Sequence, residues 1–189
     1  MEDFKLYFAT GWEHIISLDA TDHLLFILAL GAIYSIKHIK QVAILVTAFT
    51  IGHSITLALS TFDIIRFNSN WVEFLIPVTI CLTAASNIIK RTSNNISIHY
   101  GIALCFGLIH GMGFANTIRF MLAKGQAIAI PLFSFNLGLE AGQLIVVLII
   151  LGLHWFFVEG NRLQPQYWVT AISVFTFVWG AWLAWQRIP

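Results

Sequence analysis

The stretch "HIISLDATDHLLFILALGAI", residues 14 to 33, crowds two histidines and two aspartates into ten residues. It then runs ten residues without a polar side chain. The oily half sets the fold class. Hydrophobic residues make up 58% of the 189-residue chain and charged residues only 10%, against roughly 25% in ordinary soluble domains. A soluble domain of this size could not cover its surface with so few charges. The mean hydropathy of +0.82 agrees. The sequence therefore predicts an all-α polytopic membrane protein, residues 1–189 forming a single transmembrane domain.

A membrane-crossing helix needs about 20 mostly apolar residues. Five segments qualify, at about 41–62, 71–90, 98–122, 127–158 and 166–187, and a sixth, about 21–36, is short in its apolar part. Residues 4–18 either extend that sixth span or form a separate interfacial helix, with Tyr7, Phe8 and Trp12 suited to the headgroup boundary. The expected architecture is a six- or seven-helix bundle. The segment 127–158 exceeds one crossing, so it should tilt, protrude or kink, with Pro131 as one place for that.

Lys and Arg divide five against five between the two faces. Lys37, Lys40, Lys90 and Arg91 lie close to span ends in tight loops, which favours that face as cytoplasmic and puts the N-terminus outside. The net charge of +1 and the lack of a basic run exclude nucleic acid as an expected partner. Cys81 and Cys105 fall in apolar segments and read as small core residues with no disulfide framework. The N-terminus lacks a basic region and a small-residue cleavage site, so no removable signal peptide is expected.

Ionisable groups inside a bilayer cost roughly 2.5 kcal/mol or more and normally face the bundle interior or a wet cavity. Here they are His14, Asp19, Asp22 and His23 on the first segment, His53 followed by Ser54, His110, and Glu140 between Asn136 and Gln143. Asn136, Glu140 and Gln143 stand at i, i+4 and i+7 on one helical face. "FTIGHS" (49–54) and "FGLIHG" (106–111) share the pattern F-x-x-x-H-small. Each histidine lies 12 residues into its span, about 18 Å deep at 1.5 Å per residue.

Taken singly, each residue has a plain structural use. Asp22 could cap a helix, His53 or His110 could bond a neighbouring helix, and Glu140 could be neutral and hydrogen-bonded. One shared site explains all of them with one cause. Gly107 and Gly111, and Gly138 and Gly142, have the small-xxx-small spacing that brings membrane helices close. Imidazole and carboxylate without thiolate suit a divalent transition metal such as Ni, Co or Zn. Ligands placed where a membrane helix begins could meet that ion from water.

The motifs "DHLLFILAL" (22–30), "FTIGHSITLAL" (49–59), "FGLIHGMGFA" (106–115) and "FNLGLEAGQ" (135–143) resemble, in this order, the HupE/UreJ family of small bacterial membrane proteins. The resemblance covers nearly the whole chain. It implies nickel or cobalt uptake at the bacterial inner membrane, with Asp22, His23, His53, His110 and Glu140 handling the metal and His14 just ahead of the Asp-His pair. On the residues themselves, a metal-dependent intramembrane hydrolase and a metal-binding sensor or structural protein stay open beside the transporter.

Overall fold

The computed structural model describes residues 2–17, 21–89, 96–121 and 127–189. Asp19, Lys90, Arg91 and the loop residues 123–126 lie outside them. Every regular element among the described residues is helical: α1 (Glu2–Ile16), α2 (Thr21–Gly31), α3 (Ile39–Thr61), α4 (Ser69–Ile89), α5 (Ile96–Gly113), α6 (Ala115–Met121), α7 (Ala129–His154) and α8 (Pro165–Gln186). Four helical runs, 36–61, 69–89, 129–159 and 165–186, are long and apolar enough to cross a membrane. The number becomes five if α1 and α2, bent by 66° to each other, count as one broken span.

Local chemistry explains the helix ends. Asp63 and Asn161 take left-handed backbone (φ 62° and 56°) just beyond α3 and past the π-helical turn Trp155–Glu159 that prolongs α7. Short polar side chains tolerate that conformation best after glycine. Pro165 opens α8, where its missing N–H costs nothing. Pro131 does not kink the long segment. It sits in the first turn of α7, where the N–H would be an orphan in any case. The region read as one span over 98–122 is interrupted instead, α5 giving way to α6 at Phe114.

Glycines fix how the helices meet. A Cβ on Gly52 would strike the Leu104 carbonyl, and one on Gly107 would strike the Phe49 carbonyl. The pair α1 and α7 repeats the device: a Cβ on Gly11 would strike the Phe135 carbonyl, and one on Gly138 the Phe8 carbonyl. In each pair the registers rise together, Gly52 beside Gly107 and Thr56 beside Gly111, Gly11 beside Gly138 and Ile15 beside Gly142, so the partners run parallel. Side-chain oxygen adds to the glycine contacts: Thr56 Oγ1 donates to the Leu108 carbonyl at 2.7 Å.

The remaining helices close around these pairs. α4 packs on α8 with Gly180 against Cys81, and α2 lies against α4, α7 and α8. Asn87 Nδ2 donates to the Ala29 carbonyl at 2.7 Å, tying α4 to the far end of α2. Outside the apolar spans, Asp63 pairs with both Arg66 and Arg119. The hydrogen bond from Arg66 holds its carboxyl below the usual carboxylate range. Cys105 is exposed rather than in the core, because the outer face of an apolar helix here is as greasy as its inner face.

Candidate metal centre

Three imidazoles meet inside the bundle. His14 comes from the last turn of α1, His23 from the first turn of α2 and His53 from the middle of α3. One ligand nitrogen from each lies within 4.8 Å of the other two. The ring centroids of His14 and His23 are 4.6 Å apart, and His53 stands 6.2 and 6.1 Å from them. His110 adjoins the group, 5.1 Å from His23.

Burial makes their bonding state informative. His53 is 0% and His110 1% exposed. His14 Nε2, His23 Nε2, both nitrogens of His53 and His110 Nδ1 are buried without hydrogen-bond partners. Asn136 lies beside His53, yet its Oδ1 and the ring nitrogens make no bond of good geometry. Buried polar atoms are nearly always paired, so this concentration of orphans on imidazoles marks a place shaped for something that accepts lone pairs.

His110 shows how its free nitrogen is prepared. Thr79 Oγ1 donates to the Ile76 carbonyl at 2.7 Å and lies 3.0 Å from His110 Nε2. With its own hydrogen engaged, Thr79 accepts from His110 Nε2–H. That tautomer leaves the lone pair on Nδ1, the second-sphere orientation common around metal-ligating histidines.

Aromatic rings wall the cluster. Phe114 lies 4.1 Å from His14, Phe135 lies 6.2 Å from His53, and Phe26 and Phe49 flank His110 at 5.3 and 5.1 Å. One side is open. A cavity of about 550 Å³ reaches His14 and His23 and is lined by Glu13, Ser17, Asp22, Glu73 and Arg187 among others. Asp22 does not act as a simple helix cap. Its Oδ2 accepts from Arg187 Nη1 at 2.8 Å, while Oδ1 is buried without a partner.

Of the polar stripe on α7, Asn136 adjoins His53, while the other two members bond to α3. Glu140 Oε1 accepts from Thr47 at 2.6 Å and Gln143 Oε1 from Thr50 at 2.9 Å, binding α7 to α3. Asn136 Nδ2 donates to the Leu132 carbonyl, and Ser54 Oγ to the Thr50 carbonyl. Glu140 is not part of the three-histidine group; it lines a separate crevice with Thr47, Ser54 and Asn136.

Glu73, Arg187 and Thr79 escaped the sequence reading. Glu73 left a signal, as the lone acid in "WVEFLIPV" (71–78). Arg187 and Thr79 left none, because their roles depend on partners 165 and 31 residues away.

Apolar helices of membrane-crossing length around a buried histidine cluster at the floor of an open cavity define an integral membrane protein with a candidate metal site. Over residues 1–187 the chain matches the family model described as HupE / UreJ protein. It belongs to that family. No curated protein and no solved structure matches the chain.

Proposed function

We propose that this protein captures a divalent transition-metal ion, nickel or cobalt first and zinc as a chemical competitor, and carries it across the bacterial inner membrane. The observation that carries this reading is the trio His14, His23 and His53, with three ligand atoms within 4.8 Å of one another and at least one buried, unpartnered nitrogen on each ring. Neutral imidazoles bind such ions well. Asp22 and His110 flank the trio on two sides, so an ion could exchange ligands stepwise. Partial sites of this kind admit and release an ion more readily than one closed cage. Glu140 serves beside the path rather than in the first set of ligands.

The four qualifying helices, the bent α1–α2 pair and the shorter α5 with α6 would make six crossings, the lower of the two numbers expected from the sequence. The cavity over His14 then opens on the face of the N-terminus, outside the cell. The test is uptake of nickel or cobalt into liposomes carrying the purified protein, paired with elemental analysis. Saturable uptake lost on His23→Ala supports transport.

The cavity favours one competing reading. Glu13 and Glu73 line it beside a three-histidine site, and three histidines with an open fourth position can activate water for hydrolysis. A tightly held stoichiometric metal that resists chelators, with no uptake, would favour that intramembrane hydrolase or a fixed sensor over a carrier.

A further inference from the structure

The helices at the mouth of the histidine cluster line a second, partly open cavity at their opposite ends. The mouth is lined by Asp22 and His23 at the start of α2, Glu73 near the start of α4 and Gly113 at the end of α5. The second cavity, about 290 Å³, is lined by Tyr34 just past α2, Asn87 near the end of α4 and His99 near the start of α5. Glu73 and Asn87 are 14 residues apart on one helix, about 21 Å at 1.5 Å per residue. That is most of a hydrocarbon core roughly 30 Å thick.

The far cavity is not uniformly apolar. Thr83 and Ser86 add hydroxyls to its wall, and Tyr34 OH lies 2.9 Å from His99 Nδ1. Between the two cavities stands Phe26. It is one helical turn beyond His23, 1% exposed, and lines the far cavity. Its ring lies 5.3 Å from His110, 4.9 Å from Phe49 and 6.0 Å from Phe106.

We propose that the cavity between α2, α4 and α5 at Tyr34 and His99 is a second, far-side chamber for the same divalent cation, and that Phe26, backed by Phe49 and Phe106, is the gate between it and the histidine cluster. This rests on the transport reading. An apolar constriction excludes a hydrated ion by dewetting, and a rotation of one ring would join the chambers. His110 touches both His23 and Phe26, so it is the last imidazole before the gate. Hydroxyl, amide and a single imidazole beyond it hold a transition metal more weakly than clustered imidazoles, which favours release.

The test uses full-length protein in liposomes, with Cys81→Ser and Cys105→Ser removing the native thiols. A small cationic methanethiosulfonate should modify Ser17→Cys from one face and Ser86→Cys from the other. Adding Phe26→Ala should make Ser86→Cys reactive from both faces, and Phe26→Leu, which keeps more bulk should the alanine variant misfold, should do so partially. Passive nickel entry should rise about tenfold with Phe26→Ala, the change that accompanies roughly 1.4 kcal/mol off a barrier. Reaction of Ser86→Cys only with lipid-soluble maleimides would mean that acyl chains fill the cavity, and would overturn the proposal. So would reaction from the same face as Ser17→Cys, or one-sided labelling that survives both Phe26 variants. Labelling needs no metal transport. If the wild type moves no metal but labels as expected, the transport reading falls and the gated pair of chambers stands. If it moves metal while the Phe26 variants change nothing, the gate alone falls.

Discussion

Replacing His53 by leucine should change stability in opposite directions with and without metal. The side chain is 0% exposed and both ring nitrogens lack partners. A neutral imidazole has one donor and one acceptor, and each buried polar group left unpaired costs about 1–3 kcal/mol. Asn136 beside the ring softens this, so the two together cost about 2 kcal/mol, the low end of that range. Leucine removes the cost but loses the imidazole's contacts with two phenylalanine rings, Phe49 at 6.3 Å and Phe135 at 6.2 Å. Aromatic pairs contribute about 0.5–1.5 kcal/mol each, and centroids this far apart belong at the lower value, about 1 kcal/mol for both. Without metal, His53→Leu should therefore be more stable by about 1 kcal/mol. A ligand at 100 times its Kd adds about 2.7 kcal/mol to the wild type. The variant has lost one of three ligands and should gain almost nothing. With nickel the order reverses, the wild type leading by roughly 1.7 kcal/mol. Thermal unfolding in detergent, followed by tryptophan fluorescence with chelator and then with nickel, reads both signs. A variant less stable in chelator that still gains the full nickel shift would refute the reasoning.

Three further outcomes are expected. Arg187→Gln removes a tethered cation that competes for Asp22 across a 2.8 Å pair with side chains 29% and 15% exposed; discounted for that exposure, nickel affinity should rise about tenfold, or roughly 1.4 kcal/mol, by titration against a chelating dye, and a fall would mean that Arg187 only positions Asp22. Gly107→Ala drives a methyl into the Phe49 carbonyl and should cost about 1–3 kcal/mol of stability, whereas Gly101→Ala, with open space around it, should be neutral or gain up to about 1 kcal/mol; equal unfolding midpoints for the two variants would contradict the glycine interlock. Glu140→Gln should leave nickel affinity within about twofold, as for a residue outside the ligand set, and a loss as large as that of His53→Leu would place its carboxylate on the metal.

Class and candidate residues were legible because both depend on single residues and their near neighbours. A helix satisfies its own backbone in lipid, so length and apolarity announce a span without reference to the rest of the chain. A histidine in oil is costly wherever its helix points, which made His23, His53 and His110 conspicuous, and the structure brings them together. The small-xxx-small glycines were legible for the same reason, although the matching interlock of α1 on α7 through Gly11 was not.

Which of these residues share a site was decided by tertiary structure. Hydropathy fixes that a helix crosses but not its rotation about its own axis, which packing against neighbours sets. Glycine-to-carbonyl contacts between α3 and α5, and between α1 and α7, turn His53 and His14 inward. The same rotation of α7 delivers Glu140 to Thr47, outside the three-histidine group. Nothing near residue 22 foretells that Asp22 meets Arg187, since that pair joins opposite ends of the chain. The sequence by itself determined a membrane bundle with costly imidazoles in it. Helix rotation and long-range contact, which no local pattern encodes, decided that three of them form one cluster beside an open cavity and that Phe26 packs between His110 and a second cavity.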